Sequence, residues 1–274
     1  MVLDNQLRNY CIKETQTVGE AESIGYVITE MSKNRFRRLP VINEYGRPVG
    51  MVTSSDILTL LHHSGNQNFL KQSVAEIMSD RIIIADASDT VRDTIKLMYN
   101  IGISGIPVVE NDRIVGMFTE KDILLIDGIW KEIDDVTITI DKGPGRPITD
   151  DTIVTTGFTF WQIADKFMTL AQRQLLVKNT DENSYVGIVT IMTLLQALVN
   201  SITFTNPNFD ILQSMSIPEM VLKPLFQRAL PVQLTSARLW MNSRGTEAFP
   251  IFHRGRPVKL ITEKDLIGYA ANHI

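Results

Sequence analysis

The sequence predicts an α/β (α+β) chain assembled from four βαββα repeats. Three observations carry that expectation. A two-stranded hairpin runs straight into a capped helix, apolar residues upstream of it keep helical spacing, and the whole arrangement returns about every seventy residues along the chain.

The clearest copy is the second, Gly105-Ile-Pro-Val-Val-Glu-Asn-Asp-Arg-Ile-Val-Gly-Met-Phe-Thr-Glu-Lys-Asp122. Its apolar runs, Ile106 to Val109 and Ile114 to Phe118, are rich in β-branched residues, and Glu-Asn-Asp between them is turn chemistry. Thr119-Glu-Lys-Asp122 then has capping-box form, with an N-cap Thr and an acid three residues on. Upstream, Val91, Thr94, Ile95 and Met98 follow the helical period, preceded by a leading strand Ile82-Ile-Ile-Ala85.

The first copy places Ile24, Val27, Ile28 and Met31 on a helix, then Arg38-Leu-Pro-Val-Ile42, the turn Asn43 to Gly46, and Val49-Gly-Met-Val-Thr53-Ser-Ser-Asp56. The third has Phe160, Ile163, Ala164 and Phe167, then Leu175 to Lys178, Asn179 to Asn183, and Tyr185-Val-Gly-Ile-Val-Thr190-Ile-Met-Thr193. In the fourth, Leu234, Ala237 and Met241 align while Arg238 falls on the inward slot. Phe249 to Phe252, the turn His253 to Gly255, and Val258-Lys-Leu-Ile-Thr262-Glu-Lys-Asp265 follow. These copies set expected domains at 1–66, 67–130, 131–200 (a degenerate repeat) and 201–274. A unit this small leaves an apolar face bare, so the repeats are expected to pair in twos, with Lys142-Gly-Pro-Gly-Arg-Pro147 as the joint between pairs.

Composition narrows the function classes. With 44% apolar and 21% charged residues the chain reads as globular, and a net charge of −4 gives no general pull toward nucleic acid. Cys11 is the lone cysteine, which excludes a disulfide framework and points to a reducing cytoplasm; no signal-peptide pattern and no membrane-spanning run is evident. Nucleophile elbow, Walker loop and dinucleotide fingerprint are all missing, so no catalytic residues and no catalytic cofactor are assigned. His62 and His63 have no acid or cysteine at ligand spacing, so no metal site is assigned, and Trp161 and Trp240 read as packing residues.

Taken together, Ile77-Met-Ser, Ile82 to Ala85, Ile106-Pro-Val-Val109 and Gly116-Met-Phe-Thr119-Glu-Lys-Asp122 resemble the CBS-domain family, whose modules occur in tandem pairs called Bateman modules. The resemblance extends over nearly the whole chain as four repeats. It implies two pseudo-two-fold Bateman modules that bind an adenosine-containing ligand, of the AMP, ADP, ATP, S-adenosylmethionine or NAD type, in clefts between paired sheets. In that family the acid of Gly-x-x-Thr-x-x-Asp accepts from ribose hydroxyls and the Thr meets phosphate. Carried over, these are Asp56 with Thr53, Asp122 with Thr119, and Asp265 with Thr262, while Arg37 and Arg38 take the basic places before the strand. The matching places hold Ser104 and Gly105, Arg173 and Gln174, and Glu247 and Ala248. Thr193 stands where the third acid belongs and Leu176 replaces the proline, so the third site is expected to be empty or altered, and Glu247 weakens the fourth. The first pair is therefore expected to carry the better nucleotide site.

The expectation is a cytoplasmic, non-enzymatic adenine-nucleotide sensor that signals to a protein partner, off the membrane, either as an intramolecular disc or as a homodimer. Two alternatives stand beside it. Each Thr-x-x-Asp is also a plain capping box, which suits a ligand-independent scaffold, and the arginines around Arg37 suit nucleic acid.

Overall fold

The structure, a computed structural model, describes residues 2–13, 15–64, 67–201, 209–220 and 222–274; the expected boundary at residue 66 lies outside them. The first repeat runs β1 (Val18–Gly19), α1 (Ile24–Asn34), β2 (Arg38–Ile42), β3 (Pro48–Thr53) and α2 (Ser54–Ser64). The second follows as β4 (Ala85–Asp86), α3 (Val91–Ile101), β5 (Gly105–Glu110), β6 (Arg113–Thr119) and α4 (Glu120–Leu125), with a short α5 (Asp127–Trp130) behind it. Two strand pieces, β7 (Thr137–Ile138) and β8 (Arg146–Pro147), lead to the third repeat: β9 (Ile153–Thr155), α6 (Phe160–Leu170), β10 (Gln174–Asn179), β11 (Ser184–Thr190) and α7 (Ile191–Ser201). After α8 (Asp210–Ser214) and β12 (Lys223–Pro224) comes the fourth, as β13 (Arg228–Ala229), β14 (Val232–Gln233), α9 (Leu234–Arg244), β15 (Ala248–His253), β16 (Arg256–Thr262) and α10 (Glu263–Ala271).

Every repeat builds its sheet alike, with a leading strand parallel to the middle strand and the hairpin antiparallel. Local chemistry fixes the hairpins. Asn111 and Asp112 both take positive φ (51° and 61°), as do Arg254 and Gly255 (50° and 78°), the backbone of a tight two-residue turn. In the first repeat the Asn43 carboxamide oxygen accepts from the Tyr45 and Arg47 amides at 3.0 and 3.1 Å, closing a longer turn. The leading strand of the second repeat is shorter than its isoleucines suggest. Only Ala85 and Asp86 find parallel partners, Val108 and Val109, and β-branched residues without a ladder partner do not make a strand.

Two compact units emerge, and they join alternate repeats. One comprises Gln16–Ile82 and Asp150–Leu225, hence the first and third repeats. In it α1 and α2 pack on α7, and α2 packs on α6. The predicted stripes Ile24, Val27, Ile28, Met31 and Phe160, Ile163, Ala164, Phe167 share one core. The other unit comprises Met1–Thr15, Ile83–Thr149 and Phe226–Ile274, the second and fourth repeats. There α10 packs on α3 and α4, and α9 on α4, around Val91, Ile95, Met98, Leu234, Ala237 and Met241. Burying these helix faces against one another removes the bare apolar surface that one repeat would leave.

Arg238 does point inward, as its register requires. It is 5% exposed, donates from Nη1 to the Leu124 carbonyl at 2.9 Å, pairs through Nη2 with Asp127 at 2.8 Å, and lies over the Trp130 ring. Those partners neutralise a charge that burial would otherwise make costly.

A further segment borders the outer hairpin strand of each repeat. Ser79 bridges Met51, Ile12 bridges Met117, Lys223 pairs Ile188, and Arg146 pairs Leu260. Residues 1–15 thus complete the second repeat's unit, and the Gly-Pro joint 142–147 becomes a sheet edge of the fourth repeat rather than an open linker. The close approach explains the motif glycines. A Cβ on Gly116 would stand 2.6 Å from Cys11 Sγ and 2.7 Å from the Ile12 carbonyl, and one on Gly50 2.9 Å from the Ser79 carbonyl. Because Ile12 contributes backbone at that point, Gly116→Ala is expected to lower unfolding free energy by about 1–3 kcal/mol in denaturant melts. Gly157→Ala, with only Thr155 Oγ1 at 3.9 Å, should cost clearly less; equal losses would show that the edge segment yields freely.

Candidate functional site

Each predicted site lies where the outer hairpin strand turns directly into a helix. The first helical amides lack intrahelical acceptors there, so a side chain must supply them. Asp122 Oδ2 accepts from the Thr119 amide at 2.8 Å and from the Thr119 hydroxyl at 2.6 Å, while Thr119 Oγ1 accepts from the Asp122 amide at 3.4 Å. Asp56 and Thr53 repeat the pattern with Oδ2 contacts of 2.8 and 2.8 Å, and Asp265 and Thr262 with 2.9 and 2.6 Å. In all three the acid spends only Oδ2 on the box, and Oδ1 has no partner among the described residues. Each threonine gives its single hydroxyl proton to the acid, so Thr53, Thr119 and Thr262 keep lone pairs but no proton for a phosphate oxygen.

The third repeat isolates what the cap itself needs. Thr193 Oγ1 accepts from the Thr190 amide at 3.1 Å, and Thr190 Oγ1 accepts from the Thr193 amide at 3.1 Å. The box closes without a carboxylate, and no acceptor-only oxygen is left over. The acid in the other three copies is therefore surplus to helix initiation.

Asp122 is the most enclosed of the acids at 7% exposure, and burial pushes its carboxyl above the ordinary aspartate range against the opposing pull of the Thr119 hydrogen bonds. In the first repeat Arg38 lies opposite Thr53 across β2 and β3, and the Arg37 carbonyl accepts the Ser54 amide. The predicted basic doublet thus stands at the same sheet end as Thr53 and Asp56. The matching pairs are Gly105 opposite Thr119, Gln174 opposite Thr190, and Ala248 opposite Thr262.

Two cations near the fourth acid were not among the predicted residues. Lys259 stands at the place of Gly50, Gly116 and Gly187, a signal visible in the aligned copies. It is 4% exposed, and Nζ donates to the Lys142 carbonyl at 3.1 Å and the Gly143 carbonyl at 3.3 Å. The glycine has moved to the facing strand. A Cβ on Gly145 would lie 2.3 Å from Ile261 Cδ1 and 3.0 Å from Lys259 Cδ. Arg146, in the presumed joint, carried no sequence signal because its nearness to Asp265 depends on β8 pairing with β16. Burial pulls both cations below their ordinary ranges; Asp265 opposes this for Arg146, and Asp141 and Asp265 oppose it for Lys259.

His62 does have an acid beside it, since Asp165 Oδ1 lies 2.5 Å from Nε2 across α2 and α6, a pairing that sequence spacing hides. Among the described residues no group of three or more His, Cys, Asp or Glu is placed to hold a metal. Trp161 packs edge-on to Phe160, and Trp240 packs on Phe226 and Phe249. No described helix is long and apolar enough to cross a membrane.

The CBS domain profile matches residues 7–63 and 74–127. Protein MJ1225 of Methanocaldococcus jannaschii is 34% identical over 126 residues, which is 42% of this chain and 45% of that protein. The crystal structure of MJ1225 aligns over 96% of this chain and 99% of that chain with TM-score 0.81 at 22% identity, a likeness of fold. The CBS domain pair of protein MJ0100, solved with 5′-methylthioadenosine and S-adenosyl-L-methionine, is 30% identical, covering 45% of this chain and 96% of that chain with TM-score 0.41. The chain spans less than half the length of these sequence relatives, 45% of MJ1225 and 31% of protein MJ1404 from the same organism. Two matched copies in tandem, with the same strand and helix order built twice more behind them, make this chain a member of the CBS-domain family.

Proposed function

We propose that this chain is a regulatory sensor that binds an adenosine-containing nucleotide of the AMP, ADP or ATP type and passes its ligand state to a protein partner. The observation that carries the reading is the unspent Oδ1 on Asp56 and Asp122. A carboxylate oxygen is acceptor-only, and a ribose diol offers two donors to it. The Thr190 and Thr193 box supports the reading, because a cap alone does not call for an acid. Arg37 and Arg38, at the Thr53 end of the first sheet, are the basic groups assigned to phosphate, and adenosine is the ligand class that the family resemblance implies. A ligand that binds one arrangement of the repeats better than another shifts the population toward it by its differential affinity, which is all that signalling to a partner requires.

Isothermal titration with AMP, ADP, ATP, S-adenosylmethionine and NAD tests the proposal. At least one should bind, and Asp56→Asn and Asp122→Asn should each weaken a site about 10- to 100-fold, the worth of a hydrogen bond to a charged group. Binding that neither variant alters would overturn the site assignment, and no binding by any of the five would leave only the scaffold reading.

Asp122 makes a second, ligand-free prediction. Its carboxyl is raised by burial in the fold, so the folded protein holds that proton to higher pH than the unfolded chain does. The stability it contributes is present below the unfolded value of about 3.9 and is lost as pH rises through the folded value. Asparagine keeps an acceptor for the cap without the titration. The unfolding free energy of Asp122→Asn minus that of the parent should therefore increase from about pH 4 to about pH 7. A difference that stays flat or falls would mean that the carboxyl is not held in a desolvated place.

A further inference from the structure

Helix α6 of the third repeat borders a cavity of about 400 Å³ that none of the capping acids lines. Its helical wall presents Gln162, Asp165 and Lys166, at positions i, i+3 and i+4 of one face, and Asp151 stands on the turn before β9. Phe158 and Leu170 supply the apolar wall and pack against the core of the unit that joins the first and third repeats.

The polar groups are held apart and only partly used. Side chains one position apart on a helix do not face each other, so Asp165 and Lys166 do not neutralise one another, and no ion pair joins them. Asp165 Oδ1 is held instead by His62 Nε2 of α2 at 2.5 Å, which leaves Oδ2 without a partner among the described residues. Lys166 Nζ is held by Asp151 alone, 3.3 Å from its carbonyl and 3.6 Å from Oδ1, and an ammonium carries three protons. Gln162 Oε1 accepts the Thr159 amide at 2.9 Å to close the helix cap, so the amide protons on Nε2 remain. One side of the cavity thus offers donors with a positive charge, and the other a carboxylate acceptor.

The other repeats lack this set. At the places of Gln162, Asp165 and Lys166, α1 has Tyr26, Thr29 and Glu30, α3 has Asp93, Lys96 and Leu97, and α9 has Ser236, Leu239 and Trp240. In the fourth repeat the Trp240 ring, in register with Lys166, packs edge-on to Phe226 and Phe249, so aromatic packing occupies the ground that the third repeat leaves open.

We propose that this cavity is a second ligand site, separate from the nucleotide sites, and that it takes a free α-amino acid with an apolar side chain. The ligand carboxylate lies on Lys166 Nζ and Gln162 Nε2, its ammonium on Asp165, and its side chain against Phe158 and Leu170. A zwitterion spans a fixed cation and a fixed acid that cannot reach each other, and each of its charges meets an opposite one already held in place by a neighbouring element. His62 acts here as a positioning residue, because it fixes Asp165 from the first repeat. The proposal is independent of the adenosine reading.

The test is calorimetric titration of the full chain with L-leucine, 4-methylpentanoate, which lacks the ammonium, and 3-methylbutylamine, which lacks the carboxylate. L-Leucine is expected to bind once per chain and each analogue about tenfold or more weaker. Lys166→Met and Asp165→Asn should each reduce L-leucine affinity about tenfold, and Lys166→Trp, which brings in the residue of the fourth repeat, should abolish binding. If Asp165→Asn does not fold once its contact with His62 is altered, Lys166→Met and the two analogues decide. No L-leucine binding at about 10 mM ligand, analogues that bind as tightly as L-leucine, or affinity indifferent to Lys166→Met overturns the proposal. Nucleotide binding measured on the same Lys166→Met chain should be unchanged, so loss of one ligand is read separately from loss of the other.

Discussion

A helix that starts on the residue after a strand has no loop in which to satisfy its first amides, and this structure resolves the shortage four times with a reciprocal bond between two side chains three residues apart. The rest of each repeat follows from that junction. The outer strand must end at the threonine, the helix must leave at the angle the box sets, and the acid is held rigidly with one oxygen committed. A carboxylate whose orientation is fixed by a backbone amide loses little further freedom when something binds to its second oxygen. The cap on Asp56, Asp122 and Asp265 uses one carboxylate oxygen and leaves the other for the recognition role proposed for these acids.

The second constraint is the crowding at the outer strand. Edge segments approach so closely that a glycine is needed on one side or the other, and the fourth repeat meets the need from the opposite strand. This exchange admits Lys259 and lets Arg146 stand near Asp265. Relocating one glycine thus changes the charge of a sheet edge while leaving the sheet topology intact.

Most of the fold was legible because it is local. Strand ends at Arg38 and Ile42, the turn at Asn111 and Asp112, and the capping boxes all depend on residues within a few positions of each other. Even the awkward Arg238 was correctly placed inward by helical period; its partners Leu124 and Asp127 were not readable, because they come from another repeat. The same holds for Asp165 beside His62, and for the joint at 142–147, whose Gly and Pro content suggested a hinge although its backbone completes a sheet. The leading isoleucines erred the other way, since propensity without a pairing strand predicted too long an element. At the sites, the three acids and the arginine doublet came from the family resemblance, since spacing alone gave only capping boxes. That each acid has one oxygen to spare, and that each threonine has already donated its proton, needed coordinates.

The alternation of repeats between the two units has a consequence for how the chain is made. One unit is assembled from two separate stretches and the other from three, so the polypeptide changes units at every repeat. During synthesis the first repeat emerges long before α6 and α7, which cover its helices, and α3 and α4 wait for the C-terminal α9 and α10. Each early repeat must persist with an apolar flank open until a distant segment arrives, a situation that favours slow, late consolidation and exposure to chaperones or to a neighbouring copy on the same polysome.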